Sequence, residues 1–265
     1  MNIISNIKTD KYELKYGVIK GGSKNFLMLP GVSLVSVLNN IDGIEDAYST
    51  LLDDYTIYVF DHATPTDYDF NMDDLVNSVL FAIEKLNLKD IYLYGVSLGG
   101  LVASKIAIKR PELIRKMILV ASCIKTNEKR LLKIKQWEKM SNKYMIQELN
   151  KDFFTTMFTK EFVEKNENGL ESFINNGSKQ DCDSFSIVLK TMYDFDITKE
   201  IKDIKVPTFV FASELDPIFG LEASMETVNL LKCDYYIYKG YSHAFYDEAP
   251  DFKQRIKDWF NNEIN

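Results

Sequence analysis

Four short, almost wholly apolar runs constrain this chain more than any other feature: Phe26-Leu27-Met28-Leu29, Tyr55 to Phe60, Ile91 to Tyr94 and Met117 to Val120. A strand that is apolar along its whole length, rather than at alternate positions, is buried on both faces, and such strands belong to parallel sheets covered by helices. The intervening residues fit that reading. Asn71 is placed to cap a helix with Asp73 and Asp74 in its first turn, and Leu75, Val79, Ala82, Ile83 and Leu86 form one stripe to face the sheet. A second helix follows Leu98 and ends at Arg110-Pro111, since proline disfavours helical backbone in the residue before it. Tyr12 to Lys20, closed by Gly21-Gly22, reads as an opening antiparallel strand.

The pattern then changes. From Ser122 to Ile204 there is no buried-strand signal. The stretch is rich in Lys, Glu and Asn and carries Trp137, Phe153, Phe154, Met157, Phe158, Phe162 and Phe173, which reads as an inserted set of amphipathic helices. Strand and helix patterns return with Val206 to Phe211, Glu222 to Leu231 and Tyr235 to Tyr238, and a last helix opens at Pro250 with Phe252, Ile256, Trp259 and Phe260 on one face. Residues 1–121 and 205–265 are therefore expected to form one α/β core with helices on both faces of a mostly parallel sheet, interrupted by a helical unit at 122–204.

Charge and cysteine usage narrow the function classes. The 265 residues carry a net charge of -7 with no long basic block, which argues against nucleic acid and anionic membrane surfaces and favours a small-molecule or carrier-bound ligand. No run approaches the roughly 18 apolar residues of a membrane span, and the start of the chain lacks a signal-peptide core, so a cytoplasmic protein is expected. Cys123, Cys182 and Cys233 are scattered and lack a CxxC spacing, which predicts free thiols and no metal site.

The chemistry centres on Gly95-Val96-Ser97-Leu98-Gly99, placed directly after one buried strand and directly before a helix. A G-x-S-x-G turn in that setting holds its serine in a strained conformation with the hydroxyl presented, while the glycines leave room where side chains would collide. The helix N-terminus beside Ser97 also offers free N–H groups to a developing oxyanion. A serine needs a base, and the chain has two histidines. His243, in the loop between the last strand and last helix, is the expected base; His62 follows an earlier strand and reads as a loop histidine bonded to nearby backbone. Asp216, just past the strand Thr208 to Phe211, is the expected orienting acid, with Glu214 its nearest rival. The backbone N–H groups of Leu98 and Val32 are the expected oxyanion donors, although Pro30-Gly31 also fits a plain chain reversal.

Together with Arg110-Pro111-Glu112-Leu113-Ile114, Val206-Pro207-Thr208 leading to Asp216-Pro217, and Ser242-His243 leading to Glu248-Ala249-Pro250, these residues resemble the α/β-hydrolase superfamily over nearly the whole chain. The resemblance implies an eight-stranded, mostly parallel sheet, a helical cap inserted after the sixth strand, and no cofactor. Two places depart from it. Many members have His-Gly where this chain has Pro30-Gly31, and Gly-His-Gly where it has Asp61-His62-Ala63, which leaves His62 without a transferable role. The expected reaction is hydrolysis of a carboxylic ester or thioester through an acyl-enzyme on Ser97. The same triad serves amidases, C–C bond hydrolases and perhydrolases, and the scaffold also serves non-hydrolytic ligand-binding or signalling proteins. The aromatic insertion fits either an acyl pocket above Ser97 or a small core of its own.

Overall fold

A computed structural model describes residues 2–65 and 69–262. Eight strands form one sheet: β1 (Ile3–Lys8), β2 (Tyr12–Ile19), β3 (Lys24–Leu29), β4 (Tyr55–Phe60), β5 (Ile91–Val96), β6 (Ile114–Val120), β7 (Thr208–Ser213) and β8 (Asp234–Tyr238). Their spatial order is β1-β2-β4-β3-β5-β6-β7-β8, antiparallel at β1-β2 and β2-β4 and parallel from there on. Thr64–Pro65 adds a two-residue antiparallel pairing to Tyr12 and Glu13. The four apolar runs are the central strands β3 to β6, as their pattern requires. β1 has no counterpart in the expected elements, because it is an edge strand exposed over nearly its whole length, with only Ile7 half-buried, and is held by its register on β2.

Two apolar layers sandwich the sheet. One face packs against α2 (Met72–Lys85), α3 (Leu98–Lys109) and α9 (Leu221–Leu231), through residues such as Leu75, Val79, Ile106 and Val228. The other packs against α1 (Ile41–Ala47), α10 (Phe245–Glu248) and α11 (Phe252–Phe260), where Phe252, Ile256, Trp259 and Phe260 are all buried. The cap of α2 is the expected one. Asn71 Oδ1 accepts from the N–H groups of Asp73 (2.9 Å) and Asp74 (3.3 Å), and Asp74 returns a bond to the Asn71 N–H. The last helix starts two residues later than its proline suggested, at Phe252, with Asp251 as its cap.

Five helices lie between β6 and β7: α4 (Glu128–Ser141), α5 (Ile146–Met157), α6 (Lys160–Lys165), α7 (Glu167–Ile174) and α8 (Lys179–Lys190). The two ends of this insertion meet in a short neck. Lys125 bridges antiparallel to Asp196 and pairs with its carboxylate at 2.8 Å, flanked by Thr126 N–H to Phe195 O and Ile197 N–H to Ile124 O, both 2.9 Å. Parallel strands all point their C-terminal ends one way, so the turns after β3, β5, β7 and β8 open on one edge of the sheet. The insertion sits over that edge.

Candidate active site

Ser97 is the single residue between β5 and α3, with φ 50° and ψ -117°. For a non-glycine residue that backbone costs on the order of 1–3 kcal/mol, and its surroundings enforce it. The Ser97 N–H donates to Val120 O at 2.9 Å, and Ser122 Oγ donates to Ser97 O at 2.9 Å. The flanking glycines are needed for close approach: a Cβ on Gly95 would lie 2.5 Å from Gly99 O, and one on Gly99 would lie 2.1 Å from Leu29 O. The second contact presses α3 onto the end of β3, where the chain turns through Pro30 to Ser33. Gly31 stands beside the nucleophile, since a Cβ there would meet Ser97 Cβ at 3.3 Å. Val32 in this loop is buried, and Leu98 opens α3, where first-turn N–H groups have no helical acceptor.

Asp216 and His243 meet. Asp216 Oδ1 lies 2.8 Å from His243 Nδ1 and also accepts from the N–H groups of Ile218 (2.8 Å) and Phe219 (3.3 Å). The two side chains are 2% and 1% exposed, and the Phe219 ring packs edge-on to the imidazole at 6.0 Å. A carboxylate there fixes the tautomer, placing the proton on Nδ1 and leaving Nε2 as the free acceptor. Among the described residues His243 Nε2 is buried without a hydrogen-bond partner, so the structure brings Asp216 to His243 but does not bond His243 to Ser97. Glu214 is committed elsewhere, its Oε2 accepting from the Gly240 N–H at 3.0 Å.

Two further residues support the site: Ser122, which the sequence reading missed, and His62, which it expected to bond to nearby backbone. Ser122 holds the elbow carbonyl from 25 residues away. His62 Nε2 lies 2.9 Å from Gly31 O, so the ring is the donor and braces the loop that carries Val32. Burial pushes the His62 pKa below its usual value, against the pull of Asp61 and of the Gly31 carbonyl. The expectation of a loop histidine bonded to nearby backbone agrees with this contact, and only its partner, Gly31, was not foreseen.

The histidine loop is fastened to the insertion: Ala244 N–H donates to Met157 O (2.8 Å) and Ser242 Oγ to Thr156 O (3.1 Å). A cavity of about 410 Å³ runs from the turn after β3, beneath Phe153, Phe154, Met157 and Phe158, to Tyr48, Tyr94 and Asp247. The insertion's aromatics take two structural roles. They wall the cavity, and they pack on one another, as in Phe154 with Phe158 at 4.7 Å and Trp137 with Phe153 at 4.7 Å. The three cysteines are free thiols. Among the described residues no His, Cys, Asp or Glu cluster is arranged to hold a metal ion, and no helix is long and apolar enough to cross a membrane.

Comparison with known proteins agrees with this architecture. Residues 44–160 match the family described as alpha/beta hydrolase fold. MGS-M2, an alpha/beta hydrolase enzyme from a Medee basin deep-sea metagenome library, superposes with a TM-score of 0.85 at 16% identity, covering 97% of each chain. The chain thus has the α/β-hydrolase fold, as its motifs implied. Its curated relatives include proteins named for ester or lactone hydrolysis and one named for carbamate hydrolysis. A pimeloyl-[acyl-carrier protein] methyl ester esterase of Wigglesworthia glossinidia brevipalpis is 32% identical over 142 residues, 49% of this chain and 52% of that one. A 3-oxoadipate enol-lactonase 2 of Acinetobacter baylyi is 21% identical over 152 residues, 56% of this chain and 55% of that one. The chain thus spans about half the length of these relatives.

Proposed function

We propose that the chain is a serine hydrolase that cleaves a carboxylic ester or thioester through an acyl-enzyme on Ser97. The observation that carries the reading is the buried Asp216–His243 pair at 2.8 Å, whose other ring nitrogen is left free for a serine held in a strained turn at the same sheet edge. In this mechanism Ser97 Oγ attacks the acyl carbon while His243 Nε2 takes its proton and Asp216 supports the resulting imidazolium. The N–H groups of Val32 and Leu98 hold the oxyanion. Collapse releases the alcohol or thiol, which takes the proton from His243. Water, activated by the same nitrogen, then frees the acid and restores the hydroxyl. The 122–204 insertion acts as the cap over the acyl chain.

Most of the curated relatives' names, esterase and enol-lactonase, favour C–O acyl cleavage over C–C bond cleavage, amide hydrolysis or perhydrolysis, while one is named for carbamate hydrolysis. One observation favours a non-hydrolytic binding protein instead, namely the missing Ser97–His243 hydrogen bond. Labelling decides between them. A fluorophosphonate probe is expected to label the wild-type chain and not Ser97→Ala, and a series of chromogenic esters and thioesters of rising acyl length is expected to lose turnover in the same variant. Absence of labelling, or turnover that survives in Ser97→Ala, would overturn the hydrolase reading.

A further inference from the structure

The cavity beside the proposed nucleophile is apolar along most of its length, lined by such residues as Met28, Val59, Val96 and Phe154. Its polar side chains include Ser33, Asn40, Tyr48, Tyr94 and Asp247. Asp247 is the unusual member. It is open to the cavity, yet its carboxylate makes no ion pair or side-chain hydrogen bond among the described residues. Lys253 is the nearest cation acting on it, but its ammonium donates to the Tyr246 carbonyl instead. Glu248, the next residue, turns away to accept from the N–H of Thr159 (3.0 Å) and from its hydroxyl. The Tyr48 and Tyr94 hydroxyls bond to each other at 3.3 Å, and burial raises both phenols, so they remain neutral dipoles. Asp247 is thus an exposed carboxylate lining an apolar cavity, with Lys253 acting on it from beside the Tyr48 ring, 5.8 Å from its centroid, rather than bonded to it.

We propose that Asp247, with Tyr48 and Tyr94, forms a recognition site for the far end of the acyl chain, selecting substrates that end in an ammonium group and rejecting those that end in a carboxylate. This rests on the reading of the cavity as the acyl pocket of a hydrolase. Three features support it. Tyr94 and Val96 lie on one face of β5 and both line the cavity, so the pocket descends along the strand that ends at Ser97. Tyr94 lies three positions before Ser97, a rise of about 10 Å along the chain, a length that suits an acyl chain of medium size. A carboxylate that lines an apolar cavity without a bonded partner gains from a cation brought by the ligand and loses beside a second anion. Burial pushes Asp247 up to about 6, against the pull of Lys253 and with the push of Glu248, so it is ionised in mildly alkaline solution.

The test compares p-nitrophenyl esters of ω-aminohexanoic, ω-hydroxyhexanoic and adipic acid at pH 8, in wild type and in the near-isosteric Asp247→Asn. The wild type is expected to favour the ammonium-ended over the carboxylate-ended ester in kcat/KM by about tenfold or more, with the hydroxyl between them. In Asp247→Asn that ratio falls toward unity. Equal or reversed preference in the wild type, or a ratio unchanged in the variant, would overturn the proposal. A measurement that needs no variant guards against misfolding: hexylammonium is expected to bind the wild-type chain more tightly than hexanoate by titration calorimetry, and the reverse order counts against the site. The two readings fail separately. A chain that no fluorophosphonate labels and that turns over no ester is not a hydrolase, while the binding order still decides whether Asp247 selects cations.

Discussion

His62 and Gly31 are 31 residues apart, yet the 2.9 Å bond between Nε2 and the Gly31 carbonyl fixes one side of the proposed oxyanion loop. A carbonyl can only accept, so Nε2 carries a proton, and the burial that lowers the ring's pKa favours its neutral form. Removing the donor leaves a carbonyl without its partner and a loop free to shift beside Ser97. His62→Ala is therefore expected to lower kcat about tenfold on a short ester with little change in KM, because roughly 1.4 kcal/mol of transition-state stabilisation is at stake. His62→Gln keeps a donor in reach and is expected to recover part of the loss. Steady-state kinetics on both variants checks this. A change confined to KM would place His62 in substrate binding rather than in positioning the loop.

Among the elements, the insertion is tied together by side-chain bonds to backbone carbonyls, and Asn150 makes three of them. It is buried on α5, and its Nδ2 donates to the carbonyls of Phe173 (3.1 Å), Ile174 (3.1 Å) and Asn176 (2.7 Å), closing the end of α7. Asn150→Ala strips three carbonyls of their donor and is expected to cost on the order of 1–3 kcal/mol, read as a lower thermal midpoint. An unchanged midpoint would show that water replaces the amide. Such anchors were closed to the sequence, which carries periodicity but no partners. The aromatic spacing over 153–173 announced amphipathic helices, but not how α5, α6 and α7 join. The central strands were legible because burial on both faces leaves an apolar run, whereas β1 was not, since its exposed residues carry no such run. The proposed triad was legible for a related reason. The elbow needs its glycines, only two histidines compete, and Asp216 follows a buried strand. What decides Asp216 over Glu214 is three hydrogen bonds to one oxygen, which no spacing reveals.

Across the whole molecule, acids in opposite environments set how stability depends on pH. Asp196, at the neck of the insertion, is held down to about 2 by hydrogen bonds to Lys125 and Thr198, from an ordinary 3.8. Its contribution is present above 3.8 and is lost as pH falls through about 2, and solvent screening at this exposed site keeps it small. Asp247 runs the other way, raised from 3.8 to about 6 chiefly by desolvation. The folded chain binds that proton more tightly than the unfolded chain does. Its contribution is therefore complete below 3.8 and is lost as pH rises through about 6. Asp247→Asn abolishes the titration, so the variant is expected to gain on the wild type as pH rises from about 4 to about 7, and to hold a constant lead above that. Thermal midpoints of both chains across this range provide the measurement. A difference that stays flat with pH would mean that Asp247 ionises in the folded chain as it does in the unfolded one, solvated by water rather than desolvated by the cavity that the proposed ammonium-ended substrate would enter.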